Sequence, residues 1–243
     1  WWLDATADYA VLSLMGPRAR DVLQAVTDAD MSNEAAPFGS VREVTIAGTR
    51  VMALRVTYVG ELGWELHFPI DRAVAVYDAL MAAGRPHGIA NAGYRAIESL
   101  RLEKGYRAWG SDIGPDHTPL EAGLGWAVKL KQNIDFLGRG ALVAQAAGPL
   151  KKRLVGFTVD PAIVLLGRET IFRNGEQVGW LTSGGYGYTV GKSIGYGYVR
   201  NPDGVSTDYL TSGTYELEVA TERVPAEIHL GPLYDPKMER IKA

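Results

Sequence analysis

The chain has 243 residues, of which 47% are hydrophobic and 22% are charged, and a formal net charge of −3. This composition is that of an ordinary globular protein with one large domain or two smaller ones. The weak negative charge argues against nucleic-acid binding, and no apolar run is long enough for a membrane span. The lack of cysteine excludes disulfides and thiolate chemistry, and the separated histidines give no local metal motif.

The sequence opens on Trp1 and Trp2 without an initiator methionine, and the stretch from Asp8 to Pro17 already predicts an interior β-strand. We therefore expect the chain to be part of a longer protein. No targeting segment is visible, so a cytoplasmic location is the default expectation.

Helical and extended patterns alternate as far as Gly148, where a Gly-Pro pair marks an expected domain boundary. The predicted helices are Arg18–Val26, Asp71–Ala83, Ala92–Glu103 and Gly140–Ala147. The predicted strands are Val41–Ala47, Val51–Tyr58 and Glu65–Pro69. We expect residues 1–148 to form an α/β domain.

After Pro149 the sequence changes to short alternating strands with turn signals such as Asn174-Gly175. A Gly/Tyr loop is expected from Gly184 to Gly191. The predicted strands are Lys152–Val159, Thr170–Arg173, Glu176–Thr182, Ser193–Tyr198, Tyr215–Ala220 and Val224–His229. Six short strands with few helical signals predict a small antiparallel barrel or sandwich over residues 149–243, and an α+β chain as a whole.

Two charged patterns are candidates for chemistry. Glu65 follows a glycine-containing bend and stands in an otherwise apolar strand, so its carboxylate either faces solvent or meets donors, and the pattern alone favours solvent. Arg95, Glu98 and Arg101 are spaced for i, i+3 pairing on one helix, and this spacing favours a solvated face with salt bridges.

Aromatic residues form a further group just after that helix: Tyr106, Trp109 and Trp126. Such residues usually belong to a core, but they can also stack on a flat heterocycle. Tyr186 and Tyr188 lie in the glycine-rich segment, which does not match the dinucleotide-binding motif.

Several motifs in continuous order resemble the aminomethyltransferase (glycine-cleavage T-protein) family. They are Tyr58–Leu66, Tyr94–Gly105, Asp112-Ile113, Pro119–Leu124, Thr182–Gly185 and Pro232–Pro236. The last motif, together with Gly184–Tyr188, looks most like the folate-binding C-terminal half of sarcosine and dimethylglycine dehydrogenases. The resemblance covers essentially the whole chain.

The resemblance implies tetrahydrofolate binding and one-carbon transfer. In the dehydrogenases a separate N-terminal flavin (FAD) domain oxidises an N-methyl amine, and tetrahydrofolate captures the one-carbon unit as 5,10-methylenetetrahydrofolate. This chain contains nothing similar to that domain, so the implied partners are the folate and an upstream flavin domain. No metal, nucleic acid or membrane is implied.

The resemblance also implies roles for particular residues. Glu65 takes the position of the pterin-binding glutamate and should then be buried, with its carboxylate accepting from the N–H groups of the pterin edge. Tyr58 matches an aromatic residue near the reacting nitrogens, Arg95 a helix arginine that helps to hold folate, and Trp126 a tryptophan of the folate wall. Tyr106 and Tyr186 are further folate-binding candidates.

The run Lys151–Arg153 could meet the glutamate carboxylates of folate or could be plain solvated surface.

The family's catalytic aspartate lies on a strand before the position of Trp1, and neither Asp4 nor Asp8 matches its motif, so the folate-binding domain is expected to be incomplete.

Two alternatives stay open. The parent protein could be a stand-alone aminomethyltransferase that acts on a lipoyl-bound aminomethyl group. The chain could also be a non-catalytic regulatory or interaction module with the same fold.

Overall fold

Residues 1–243 are described by a computed structural model, in which the chain divides into two units. The first unit comprises Trp1–Ile97 with Lys237–Ala243, and the second comprises Glu98–Pro236. Both helices and antiparallel sheets are present, which confirms the expected α+β class. The sequence boundary expected near Gly148 stays a prediction. None of the helices has the length and apolar character needed to cross a bilayer.

The first unit is built on a four-stranded antiparallel sheet with the strand order β1-β4-β3-β2. Its elements are β1 (Tyr9–Met15), α1 (Ala19–Gln24), β2 (Val41–Ile46), β3 (Thr49–Leu54), β4 (Gly63–Pro69) and α2 (Ala73–Gly84). The first strand lies at the edge of this sheet, so its expected interior position was wrong. Its side chains alternate between exposed and more buried positions because only one of its faces packs on the core.

Alternation along β4 sets the two faces of this sheet. Trp64, Leu66 and Phe68 are fully buried in the core of the first unit, where α1 and α2 also pack. Glu65 and His67 point to the opposite face, because successive side chains of a strand leave on opposite sides.

Two further helices precede the barrel strands. The helix α3 (Tyr94–Lys104) begins in the first unit and ends in the second, and α4 (Arg139–Ala146) has no buried residue. Gly105, with a φ of 69°, terminates α3 in the left-handed conformation that favours glycine.

The second unit contains a closed six-stranded barrel, which confirms the prediction for this part of the chain. Its strands are β5 (Lys152–Val159), β6 (Thr170–Arg173), β7 (Glu176–Gly187), β8 (Lys192–Arg200), β9 (Tyr215–Val219) and β10 (Glu222–His229). They close in the order β10-β5-β8-β7-β6-β9 around buried aliphatic and aromatic side chains. A short helix, α5 (Thr207–Thr211), joins β8 to β9 and was not predicted.

The glycine-rich segment differs from its prediction, because β7 continues as a strand through Gly187 where a loop was expected. A Cβ atom at Gly185 would lie 2.8 Å from the Leu102 side chain, and one at Gly187 would lie 3.0 Å from Glu103. The missing side chains therefore let the end of α3 approach β7 closely, and the glycines serve helix–strand packing.

Candidate functional site

The carboxylate of Glu65 lies on the half-exposed face of the first unit's sheet. Its side chain is 33% exposed, and across the strands Glu65 stands opposite Ser13 of β1 and Leu54 of β3. The residue is therefore half-buried rather than buried as the resemblance implied. Its position leaves the carboxylate accessible to a molecule that covers this face.

His67 shares this face and was not singled out from the sequence. Its Nε2 atom lies 3.5 Å from the Glu65 carboxylate, and this buried nitrogen makes no hydrogen bond. The imidazole stands between Val11 of β1 and Met52 of β3, so apolar side chains flank His67 on both sides. The i, i+2 spacing in an alternating strand is the sequence signal that could have identified it.

Two other predicted folate contacts belong to the first unit. Tyr58 is half-buried in the segment between β3 and β4, where the Val59 amide donates to Thr57 Oγ1 at 3.2 Å. Arg95 is exposed in the first turn of α3. The positions of both side chains are compatible with ligand contact, and their roles stay predictions.

The other three predicted contacts belong to the second unit. Trp126 is 78% exposed on a short 3₁₀ turn, and this exposure leaves its indole open to stacking. The Tyr186 ring packs edge-on against Tyr188 with centroids 5.0 Å apart, and the Tyr186 carbonyl accepts from Ser99 Oγ at 2.6 Å. Tyr106 is half-buried, and burial raises the pKa of its phenol.

The arginine expected on a solvated helix face is instead buried, so that interpretation was wrong for Arg101. This side chain is 2% exposed, and it pairs with Glu98 at 2.9 Å and with Asp112 at 2.5 Å. It also donates to the Tyr106 carbonyl at 3.1 Å. The i, i+3 spacing of Glu98 and Arg101 did predict a real ion pair, but the guanidinium group of Arg101 lies in the interior of the second unit.

Asp112 is the centre of this buried network. Its carboxylate accepts from Thr182 Oγ1 at 2.6 Å, from Ser183 Oγ at 2.5 Å and from the Ala108 amide at 3.0 Å. The Tyr198 hydroxyl donates to the Asp112 carbonyl at 3.0 Å. The network joins the segment after α3 to strands β7 and β8, and both carboxylate oxygens accept from donors of the second unit's interior.

The basic run Lys151–Arg153 is largely engaged in contacts within the second unit. Lys152 donates to the Asp116 carbonyl at 2.7 Å and lies 3.6 Å from Glu121. Arg153 lies 3.3 Å from Thr207 Oγ1, to which it donates. These two side chains support the junction between the loop region and the barrel, which weakens the idea that they bind folate carboxylates.

Acidic and histidine side chains do not gather into a metal-binding group anywhere in the 243 residues. The predicted site residues described above can provide hydrogen bonding, charge and aromatic stacking. In the first unit this means one accessible carboxylate with a histidine neighbour, and in the second unit exposed aromatic rings.

Comparison with known proteins assigns both parts of the chain. The family described as the GCVT N-terminal domain matches residues 1–132, and the glycine cleavage T-protein C-terminal barrel domain matches residues 152–235. Sarcosine dehydrogenase from Mus musculus is 49% identical over 99% of this chain, which spans 26% of that protein. Dimethylglycine dehydrogenase from Homo sapiens is 42% identical over 94% of this chain and 26% of that protein.

A solved structure gives the same assignment. The glycine cleavage system aminomethyltransferase T from Bartonella henselae aligns with a TM-score of 0.77 at 29% identity, over 94% of this chain and 60% of that one. The chain thus spans about a quarter of the length of the two dehydrogenases, whose names place them in mitochondria. The cytoplasmic location stays a prediction. On the fold and both family matches, the chain belongs to the glycine cleavage T-protein family.

Proposed function

We propose that this chain is the tetrahydrofolate-binding, one-carbon-transfer module of a flavoprotein that oxidises an N-methyl amine such as sarcosine or dimethylglycine. The observation that carries the proposal is the accessible carboxylate of Glu65 on an apolar-flanked sheet face. The similarity to two such dehydrogenases along nearly the whole chain supports it.

The chemistry of Glu65 fits one edge of a pterin. That edge presents neighbouring N–H donors, and an ionised carboxylate is an acceptor with two oxygens, so the two can pair in a bidentate manner. On this face Leu54 lies beside Glu65 and Val11 lies beside His67, so a flat ring that covered these apolar side chains would exclude water from the carboxylate. Hydrogen bonds to a carboxylate strengthen when water is excluded.

Tyr58 and Arg95 complete the assignment in the first unit. A half-buried tyrosine beside the bend can pack on an aromatic ligand and still offer its hydroxyl. An exposed arginine at the start of α3 can pair with a carboxylate of the ligand through its planar guanidinium. Tyr106, Trp126 and Tyr186 stay predictions based on the family resemblance.

The proposed reaction needs only positioning of the reactants by this chain. An iminium carbon produced by flavin-dependent amine oxidation would form bonds to two folate nitrogens, and the two N–H protons would leave with the amine as its ammonium form. Holding the folate nitrogens in place makes this step effectively unimolecular. The flavin domain and the catalytic aspartate are proposed to belong to other parts of the parent protein.

A stand-alone aminomethyltransferase is the second candidate, because the structural match is to an aminomethyltransferase of the glycine cleavage system. That candidate uses the same folate contacts and differs in the donor of the one-carbon unit. Adding sarcosine with electron acceptor, or an aminomethylated lipoyl protein, to the full parent protein distinguishes the two by the substrate that is consumed.

Calorimetric titration of the chain with tetrahydrofolate tests the proposal, with Glu65→Gln as the variant. Removing the charge should weaken binding by about tenfold to a hundredfold, the range for a hydrogen-bonded charged group. Glu43→Gln is the matched control, because Glu43 lies on the same face but pairs with Arg50. If the chain alone binds no tetrahydrofolate, the same titration is made on the full parent protein, and the absence of binding there would overturn the assignment. Equal binding by wild type and Glu65→Gln, in either protein, would overturn the role of Glu65.

A further inference from the structure

The edge strand β1 of the first unit's sheet has a row of main-chain groups without partners. It pairs only with β4, and that ladder continues at both ends: the Ile70 amide donates to the Asp8 carbonyl at 2.9 Å, and the Gly16 amide donates to the Leu62 carbonyl at 2.8 Å. In an antiparallel pair, alternate residues bond to the neighbouring strand and the residues between them point their N–H and C=O groups away from it. The even-numbered residues of β1 therefore bond to β4, and the odd-numbered residues face the open edge. These are Tyr9, Val11, Ser13 and Met15.

This open edge is accessible on the outer face and on the core side. The N–H and C=O groups of the four odd-numbered residues take part in no hydrogen bond within the 243 residues, and three of these residues are exposed, among them Val11 at 50%. Ala10 and Leu12 point to the core but are only partly buried, whereas Leu66 of β4 is fully buried. A further strand beside β1 would therefore satisfy main-chain groups and extend the core.

The two edges of this sheet differ in their charge. The other edge strand, β2, carries Arg42 and Glu43, and the Arg42 guanidinium donates to the Ala35 carbonyl at 2.8 Å. Charged side chains on an edge strand oppose pairing with another strand. Strand β1 has no charged residue, no proline and no glycine between Tyr9 and Met15. Its edge is thus suited to pairing with an uncharged strand.

The register of β1 fits a second copy of the same strand. We propose that two copies of the chain associate through antiparallel β1 strands related by a two-fold axis at Leu12. This register places Val11 opposite Ser13 and Tyr9 opposite Met15 of the second copy, so that edge-facing residues stand opposite one another. Every free main-chain group of one copy then has a partner in the other. A shift by two residues would leave Tyr9 or Met15 without one.

The side chains agree with this pairing. On the core side Leu12 stands opposite Leu12 of the second copy, and Ala10 stands opposite Leu14, so apolar groups meet where the core is open. On the outer face Val11 stands opposite Ser13, and neither strand brings a charge into the interface. Directly opposed side chains of this kind stabilise antiparallel strands. The contact is the same from both copies, as a two-fold interface requires, and it joins the two sheets into one.

Sedimentation equilibrium of the 243-residue chain over a range of concentrations tests the association. We expect a monomer–dimer equilibrium, whose dissociation constant Val11→Lys should raise at least about tenfold because a charge on the edge opposes pairing. Val41→Lys is the matched control, since Val41 is an exposed valine on the other edge strand, and it should leave the equilibrium unchanged. A chain that stays monomeric up to about 0.1 mM would overturn the proposal. So would a dimer that Val11→Lys weakens no more than Val41→Lys does.

A cross-link tests the register by a separate route. The chain has no cysteine, and the two copies of Leu12 form a pair without mutual hydrogen bonds, in which Cα atoms lie about 4.5 Å apart. A disulfide can span that separation. With oxidised glutathione, which is reduced as the two thiols are oxidised, Leu12→Cys should give a covalent dimer and Val41→Cys should give at least about tenfold less. Equal yields from the two variants, or no dimer from Leu12→Cys, would overturn the pairing at Leu12.

Discussion

Arg101 donates to the carboxylate of Asp112 at 2.5 Å, although the two residues come from a helix and the loop after it and both are almost completely buried. The pair is joined by the hydroxyls of Thr182 and Ser183 on β7. A buried pair of this kind is stable only when its remaining acceptors and donors are satisfied, as they are here. It therefore fixes the loop that carries Tyr106 to the barrel.

Asp112→Asn should strongly destabilise the second unit. The substitution leaves Arg101 buried with only Glu98 as a charged partner. It also replaces one of the two acceptor oxygens of Asp112 with an amide donor, so we expect the free energy of unfolding to fall by about 3–5 kcal/mol. Chemical denaturation of both proteins measures the difference. Asp116→Asn is the control, because the Asp116 side chain is exposed and takes no part in the network. Similar small effects for both variants would contradict the structural role of Asp112.

Gly184→Ala should also destabilise the barrel. A Cβ atom at Gly184 would lie 2.7 Å from both the Gly167 nitrogen and the Leu165 carbonyl carbon, and backbone atoms cannot move away easily. The expected loss is about 1–3 kcal/mol, as for other overpacked positions. Thermal unfolding gives the comparison.

The matched substitution for that experiment is Gly140→Ala in α4. Nothing lies within 4 Å of a Cβ atom built at Gly140, so alanine should be neutral or should stabilise the helix by about 0.5–1 kcal/mol. A stability change of the same sign and size at both glycines would show that helix and strand propensity, rather than close packing at Gly184, determines the result.

The sequence predicted elements well where local patterns decide them. The strands Lys152–Val159 and Thr170–Arg173 have the predicted bounds, because alternation and flanking turns are local signals. The continuation of β7 to Gly187 could not be predicted in this way. Its glycines are explained by the approach of α3, which is a long-range contact.

In the candidate site, too, some positions follow from sequence patterns and others depend on long-range contacts. The motif resemblance identified Glu65, and the alternation of β4 places it on a half-exposed face. The burial of Arg101 could not be read from its i, i+3 spacing, since the spacing describes neighbours on the helix and not the barrel strand that covers it.

His67→Gln should weaken tetrahydrofolate binding by acting through Glu65. The imidazole nitrogen 3.5 Å from the carboxylate restricts the orientation of Glu65, and an exposed or half-exposed contact of this kind is worth roughly 0.2–1 kcal/mol. We therefore expect the Kd to rise by about two- to fivefold. Calorimetric titration of wild type, both single variants and the Glu65→Gln/His67→Gln double variant measures the coupling. Strictly additive effects would show that His67 acts independently of Glu65.

Tyr196→Phe should make the protein less sensitive to alkaline pH. Burial raises the pKa of Tyr196 to about 12, and its buried hydroxyl has no hydrogen-bond partner. Between pH about 10 and about 12 the unfolded chain loses the phenol proton and the folded chain keeps it, so stability falls by about 1.4 kcal/mol per pH unit for this group. Burial also raises the pKa of Tyr198 and Tyr215, so the decline should become shallower in the variant without disappearing.

The same experiment contains its own control at neutral pH. Below pH about 10 the Tyr196 phenol is protonated in both states, so Tyr196→Phe should change the free energy of unfolding by less than about 1 kcal/mol there. Tyr198→Phe should be destabilising already at pH 7, because the Tyr198 hydroxyl donates to the Asp112 carbonyl. Urea denaturation from pH 7 to pH 11 separates the two tyrosines. An equal alkaline slope in wild type and Tyr196→Phe would mean that the phenol of Tyr196 reaches solvent in the folded protein.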